Sequence, residues 1–250
     1  MKTNILLNTL FLGFLFTASC GGKANSSSNS SEKADSSKST PIGGNKDCII
    51  SYQSKYDELL PLDIIKKHFK GEMPDAKKKY DKSSNEKYRN HDKYTYSWKS
   101  DRTRTMEIGG NKMTYPIANE IGLQWVGDDI FMMSKSKSPL ENFKDFYRNA
   151  SQEEIDKSMA IAEAQVRKKE GITKQQADAA TGIAKGMSAE TRFENVEGVG
   201  EAASWVVKDN KLVVLVGNVT FQVMANVGTD KAANIDLAKK LAIEVLNKCK

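Results

Sequence analysis

Residues 202–227 read AASWVVKDNKLVVLVGNVTFQVMANV, and this stretch decides the fold class. Ala202–Val207, Leu212–Val216 and Val219–Val227 are rich in β-branched and aromatic residues, which suit a pleated, half-buried surface. Asp209-Asn210 and Gly217-Asn218 separate the three runs, and both dipeptides suit tight hairpin turns. Three strands joined this way form an antiparallel meander. Just downstream, Ile235, Ala238, Ala242, Val245 and Cys249 fall on one helical face, so a terminal helix packs on the meander.

Working back along the chain, Tyr94–Trp98, Thr103–Ile108 and Lys112–Ile117 read as strands. Gly109-Gly110-Asn111 turns the second into the third, where Met113, Tyr115 and Ile117 alternate. Further apolar patches run through Ile121–Val126 and Ile130–Met133. Asp63 is expected to cap a short helix through Ile64, Ile65 and Phe69, stopped by Gly71, with polar residues 72–93 as loop. Helix starts at Ser138-Pro139-Leu140-Glu141, Ser151-Gln152-Glu153-Glu154 and Thr173-Lys174-Gln175-Gln176 each have capping-box spacing. The middle helix carries one narrow stripe, Ile155, Met159, Ala162 and Val166, and is expected to lie on the surface until Gly171. The sum is an α+β fold, an antiparallel sheet with packed helices in a sandwich. It occupies residues 47–250 as one domain, with a helical insertion at about 138–189.

The first residues carry a different message. Lys2 precedes an apolar run, Ile5–Phe16, too short for the roughly 20 residues that span a bilayer. Small residues Thr17-Ala18-Ser19 then lead into Cys20. The layout is that of a secretory signal over residues 1–19. With a cysteine at its end it resembles the lipobox of bacterial lipoproteins, although Thr17 stands where Leu is usual. The resemblance implies acylation of Cys20; the plain alternative is an ordinary secretory peptide. Residues 20–46, mostly Gly, Ser, Asn and Lys, cannot bury enough surface to offset their ordering entropy and read as a disordered tether. A flexible segment of that length spans roughly 28 Å root-mean-square. Gly21-Gly22 lacks the Asp that resembles an inner-membrane retention signal, which favours the outer over the inner membrane.

Two cysteines remain, Cys48 and Cys249, at the ends of the folded segment of an exported chain. A disulfide between them is the natural reading, with two free buried thiols as the alternative. The chain also resembles a family of uncharacterised bacterial cell-envelope lipoproteins, best known from actinomycetes. Cys48, the helix after Asp63, Trp98 and Gly198-Val199-Gly200-Glu201-Ala202-Ala203 carry the resemblance. It implies a lipid-anchored fold of strands and helices without an established activity. The chain departs from the pattern at Tyr96, where the family's second cysteine falls.

Candidate chemistry is sparse. Gly198-Val199-Gly200 lacks the third glycine and following helix of a dinucleotide loop, and reads as a tight turn. His68 and His91 sit at no metal-ligand spacing, and Asp128-Asp129 suits a turn better than a cation. No cofactor, metal site or catalytic residue is assigned, and the chain is not read as an enzyme. Charge is more informative. Residues 48–250 hold 33 Lys and Arg against 29 Asp and Glu, while residues 66–104 alone hold 13 against 6, a local net of +7. Lys77, Lys78, Lys79 and Arg89, with Tyr88 and Tyr94 among them, form a possible patch for anionic partners. The bland reading is a solvated loop beside strands whose aromatics point inward.

The expectation is a non-catalytic envelope module, held to a membrane through lipid on Cys20, that binds an anionic glycan, a lipid headgroup or an envelope protein. Nucleic acid is disfavoured by the address. An envelope enzyme of hydrolase type, or a structural lipoprotein docking helices from Glu141 to Met187 on a neighbouring complex, are the alternatives. Replacing Cys20 with Ser should release the protein from membranes and remove the acyl mass; fractionation with intact-mass measurement checks both.

Overall fold

Residues 43–108, 111–128, 136–168, 173–175, 178, 182 and 192–250 are described by a computed structural model, and all lie within the compact unit Lys38–Lys250. Three short helices open it: α1 (Lys46–Ser51), α2 (Tyr56–Leu59) and α3 (Leu62–His68). The Asn45 side chain caps α1 by accepting from the amides of Asp47 and Cys48. Pro61, not Asp63, is the N-cap of α3, and Asp63 sits in the first turn, where the helix dipole favours a carboxylate. Phe69 is already extended at the C-cap.

Seven strands then build one antiparallel sheet. In chain order they are β1 (Lys77–Asp81), β2 (Lys93–Trp98), β5 (Asn119–Gly127), β6 (Phe193–Asn195), β7 (Ala202–Val206), β8 (Lys211–Val216) and β9 (Val219–Asn226). Their spatial order is β1-β2-β5-β9-β8-β7-β6, every neighbour antiparallel. Among the described residues β3 (Thr103–Ile108) and β4 (Asn111–Pro116) pair only with each other, as a ribbon between β2 and β5 in the chain. The polar run expected as loop contains β1 and a 3₁₀ turn, Glu86–His91. Between β5 and β6 come α4 (Pro139–Phe146) and α5 (Gln152–Arg167), both with complete capping boxes, from Ser138 to Glu141 and from Ser151 to Glu154. Ile130–Met133 lies outside the described residues, as does most of the chain beyond Thr173 in the third expected helix. The closing helix α6 (Lys231–Lys248) is capped by Asp230.

Period-2 alternation gives the sheet two unlike faces. Trp205, Leu212, Val214, Phe221, Val223, Ile121 and Leu123 face Leu237, Ala238, Leu241, Ala242, Val245 and Leu246 of α6, with Ile49 and Ile65 from the opening helices. Each fully buried Leu, Val or Phe contributes roughly 1.5–3 kcal/mol, so this layer supplies most of the stability. The opposite face holds Val206, Val213 and Leu215 under Phe143 of α4. It also holds buried polar groups: Gln124 Nε2 donates to Gln222 Oε1 at 2.9 Å. α5 buries no residue fully; Ile155, Met159, Ala162 and Val166 are half-buried, in keeping with a surface helix.

The ends of this unit meet. Cys48 and Cys249 are joined with sulfurs at 2.10 Å and Cα atoms at 5.5 Å, closing a loop across 201 positions. The amide of Asn45 donates to the Cys249 carbonyl beside them. In the chain-entropy account such a loop is worth up to about 5 kcal/mol. Gly198 (φ +81°) and Gly200 (φ +60°) make the tight turn before β7; a Cβ on Gly200 would lie 2.5 Å from the Leu215 carbonyl oxygen.

One carboxylate fastens α3 to α6. Glu244 Oε1 accepts from Lys67 at 2.6 Å and lies 2.7 Å from His68 Nε2. Lys67 first, then His68, hold its pKa below the usual glutamate value. A depressed carboxylate adds stability above its unfolded pKa of about 4.3 and loses it as pH falls through the folded value. Between about pH 5 and pH 3, the urea midpoint of the wild type should therefore fall more steeply than that of Glu244→Gln; parallel curves would remove the contribution.

Candidate binding surface

β2 and β5 pair without interruption from Trp98–Asn119 to Lys93–Gln124. On its other edge β5 slips: Gln124 opposes Gln222, but the next partners are Gly127 and Thr220. Two residues of β5, Trp125 and Val126, thus oppose one of β9, which is a β-bulge. Val126 takes the core position and is fully buried. Trp125 adopts φ +53° and stays 42 % exposed. A bulky side chain in the left-handed region is a genuine outlier and persists only where its surroundings fix it.

The surroundings do fix it. The Trp125 amide donates to the Asp92 carbonyl at 3.1 Å, and the Val126 amide to Tyr56 Oη at 3.1 Å. Gln53 Nε2 donates to the Val126 carbonyl at 2.7 Å, while Tyr56 Oη donates to the Arg89 carbonyl at 3.2 Å. Asp92 is itself buried, its carboxylate accepting from the Ser83 amide at 2.7 Å and Ser54 Oγ at 3.0 Å. The segment 83–92 and the bulge are one hydrogen-bonded assembly.

That assembly presents rings to solvent. The His91 ring lies 4.8 Å from Trp125 at 49°, and Tyr88, 49 % exposed, meets His91 edge-on at 6.1 Å. Lys211 Nζ sits 5.7 Å from the Trp125 ring centre, and Lys87 Nζ 5.8 Å from that of Tyr88. Such a surface takes flat or ring-shaped groups by stacking and anionic groups by charge.

Part of the patch expected from sequence is here and part is not. Tyr88 and Arg89 lie on the Glu86–His91 turn, Arg89 paired with Glu86 at 2.5 Å. Lys77, Lys78 and Lys79 are exposed along the edge strand β1, Lys78 bound to Asp57 at 3.0 Å and Lys79 to Asp81 at 2.8 Å. Tyr94 is a correction. It is 1 % exposed, and its hydroxyl bonds Tyr96 Oη at 2.9 Å. Burial, reinforced by Tyr96, pushes the Tyr94 hydroxyl far above the usual tyrosine range. Alternation in β2 sends Tyr94, Tyr96 and Trp98 together into the core, so the inward reading of these aromatics holds. Tyr80 packs on the same cluster, its hydroxyl pushed up to about 12, chiefly by burial.

A cavity of about 460 Å³ opens where the ribbon meets the sheet, lined among others by Arg102, Arg104, Tyr115, Glu120, Lys208 and Asn210. Arg102 roots the ribbon. Nη1 donates to Asn226 Oδ1 at 2.6 Å and the Gly228 carbonyl at 2.9 Å. Nη2 reaches Asn119 Oδ1 and the Asn226 carbonyl at 2.9 Å, and the Ala118 carbonyl at 3.2 Å. All five acceptors are uncharged, and desolvation lowers the arginine's pKa. Neither His68 nor His91 lines this cavity. Among the described residues no group of three His, Cys, Asp or Glu can hold a metal; Asp129 lies outside them. Among them, too, no helix is long and apolar enough to cross a membrane.

The class this geometry defines is an antiparallel α+β sandwich with a strained, exposed tryptophan on its sheet. No family model, curated protein or solved structure matches the chain.

Relieving the strain should show the tryptophan's purpose. Trp125→Gly should leave the melting temperature unchanged or raise stability by up to about 1 kcal/mol, because glycine adopts positive φ freely. Trp205→Ala, in the core, should cost about 3–5 kcal/mol in denaturant unfolding.

Proposed function

We propose that this chain is a lipid-anchored, non-catalytic binding module of the cell envelope, with the Trp125–His91–Tyr88 surface as its recognition face. One observation carries the reading: Trp125 is held open in a conformation that glycine would adopt at lower cost, by bonds between its bulge and three other residues, Asp92, Tyr56 and Gln53. Strain maintained by a dedicated scaffold around an exposed ring is the mark of a site for something outside the chain. The address rests on the signal-like residues 1–19, Cys20 and the tether, and the Cys48–Cys249 bridge is consistent with an oxidising compartment. Lys77, Lys78 and Lys79 add positive charge along an exposed edge, which draws the domain toward anionic surfaces without setting specificity.

Cosedimentation of the full chain, in nonionic detergent, with isolated envelope fragments tests the proposal. Trp125→Gly should weaken retention at least tenfold while melting as wild type does. Charge reversal at Lys77, Lys78 and Lys79 should weaken it at low salt and have little effect at high salt, where exposed charges are screened. Retention of Trp125→Gly at the wild-type level would overturn the assignment.

A further inference from the structure

We infer that the Trp125 surface and the cavity beneath the ribbon are one continuous track, and that its ligand is a linear acidic glycan. The inference rests on the binding-module reading and specifies its ligand. The link between the two features is Lys211. Its Nζ lies 5.7 Å from the centre of the Trp125 ring and 2.9 Å from Asp209 Oδ2. Asp209, with Lys208 and Asn210, forms one wall of the 460 Å³ cavity. Asn210 is fixed there in the left-handed conformation, its side-chain Nδ2 donating to Asn226 Oδ1 and its backbone carbonyl accepting from the Ala225 amide. An occupant of the indole face therefore reaches the cavity mouth by passing one lysine.

Cations outnumber carboxylates along this path. Arg102, Arg104 and Lys208 line the cavity against two carboxylates, Glu120 and Asp209. Both carboxylates are already engaged by lysines that line no part of it, Glu120 by Lys93 at 2.9 Å and Asp209 by Lys211 at 2.9 Å. Among the described residues, the acceptors that Arg102 reaches are all uncharged. Rings stand at both ends of the path, Trp125 with His91 and Tyr88 at one and Tyr115 at the other. Aromatic faces separated by cations match a chain of rings bearing regular negative charge: the apolar face of a sugar stacks on an indole, and its carboxylates meet the ammonium groups. A lipid headgroup supplies charge without the repeating rings. Single-stranded nucleic acid supplies both, and the test separates it.

Titration calorimetry of the full chain in nonionic detergent, with oligogalacturonates of graded length, neutral oligosaccharides and oligo(dT), decides the matter. Affinity should rise with oligogalacturonate length and then level off once the track is filled. Trp125→Gly should weaken dimers and long oligomers alike, at least tenfold. Lys208→Glu should weaken only the long ones, threefold or more. Equal affinity at all lengths, or indifference of long oligomers to Lys208→Glu, overturns the continuous track. Tighter binding of oligo(dT), or no binding of any acidic oligosaccharide, overturns the ligand class. In either case, loss of envelope retention by Trp125→Gly keeps the binding-module reading, and unchanged retention removes that as well.

Discussion

Strand β9 is the constraint on which the architecture depends. It is buried from Val219 to Ala225, and pairs on one edge with β5 and on the other with β8. β1, β2 and β5 come from the first half of the chain and β6 to β8 from the second, so β9 alone turns two three-stranded pieces into one sheet. Because it is the last strand in sequence, the β5–β9 pairing spans about a hundred residues and forms only when nearly the whole domain is present. The helix that follows it, α6, covers the apolar face just completed, and the Cys48–Cys249 bridge ties the end of that helix back to the start of the fold. Polar residues on the other face then fix register. The buried Gln124–Gln222 pair gains its hydrogen bond only in one alignment, and a slip by one residue would leave both amides unpaired.

The parts of this architecture legible in the sequence are those where burial and pattern coincide. β7, β8 and β9 carry runs rich in apolar and β-branched residues, separated by turn dipeptides, and α6 shows its face at helical spacing; all four form where expected. β1 was not legible. Lys77-Lys78-Lys79-Tyr80-Asp81 has one apolar side chain, and it is a strand only because the edge of β2 offers an unpaired row of backbone groups. The capacity to form that strand resides in its neighbour, not in its own residues. The same holds for Tyr94, where five aromatics among lysines suggest a surface until alternation in β2 is known.

Trp125 shows the limit most clearly. Ile121, Leu123 and Trp125 have strict period-2 spacing, which places all three inward. A single extra residue in the strand reverses the last of them, giving its core position to Val126. The groups that force the bulge, Gln53, Tyr56, Arg89 and Asp92, lie well upstream in sequence and reach it only through the fold. Local pattern records a preference, and here tertiary hydrogen bonds outweigh it by enough to hold a strained residue. His91 and Lys211 are unremarkable in sequence for the same reason: their positions acquire meaning from the ring between them.

The two ends of β9 also order the surface along the molecule. At its turn end, Lys46 Nζ donates to Asn218 Oδ1 at 3.1 Å, so the chain enters the described fold beside the β8–β9 turn. At its far end, Arg102 clamps Asn226 and Gly228 and thereby roots the β3–β4 ribbon. An isolated two-stranded ribbon is marginal in water, so this arginine, with five bonds to two neighbouring segments, is what gives the ribbon a fixed base. Eight residues of strand separate the two ends by roughly 25 Å. Lys46 thus lies at one end of the sheet, while the ribbon and its cavity occupy the other. Lys211, reaching from β8 across β9 toward the Trp125 ring on β5, carries the basic path from the ribbon end of the sheet toward that ring.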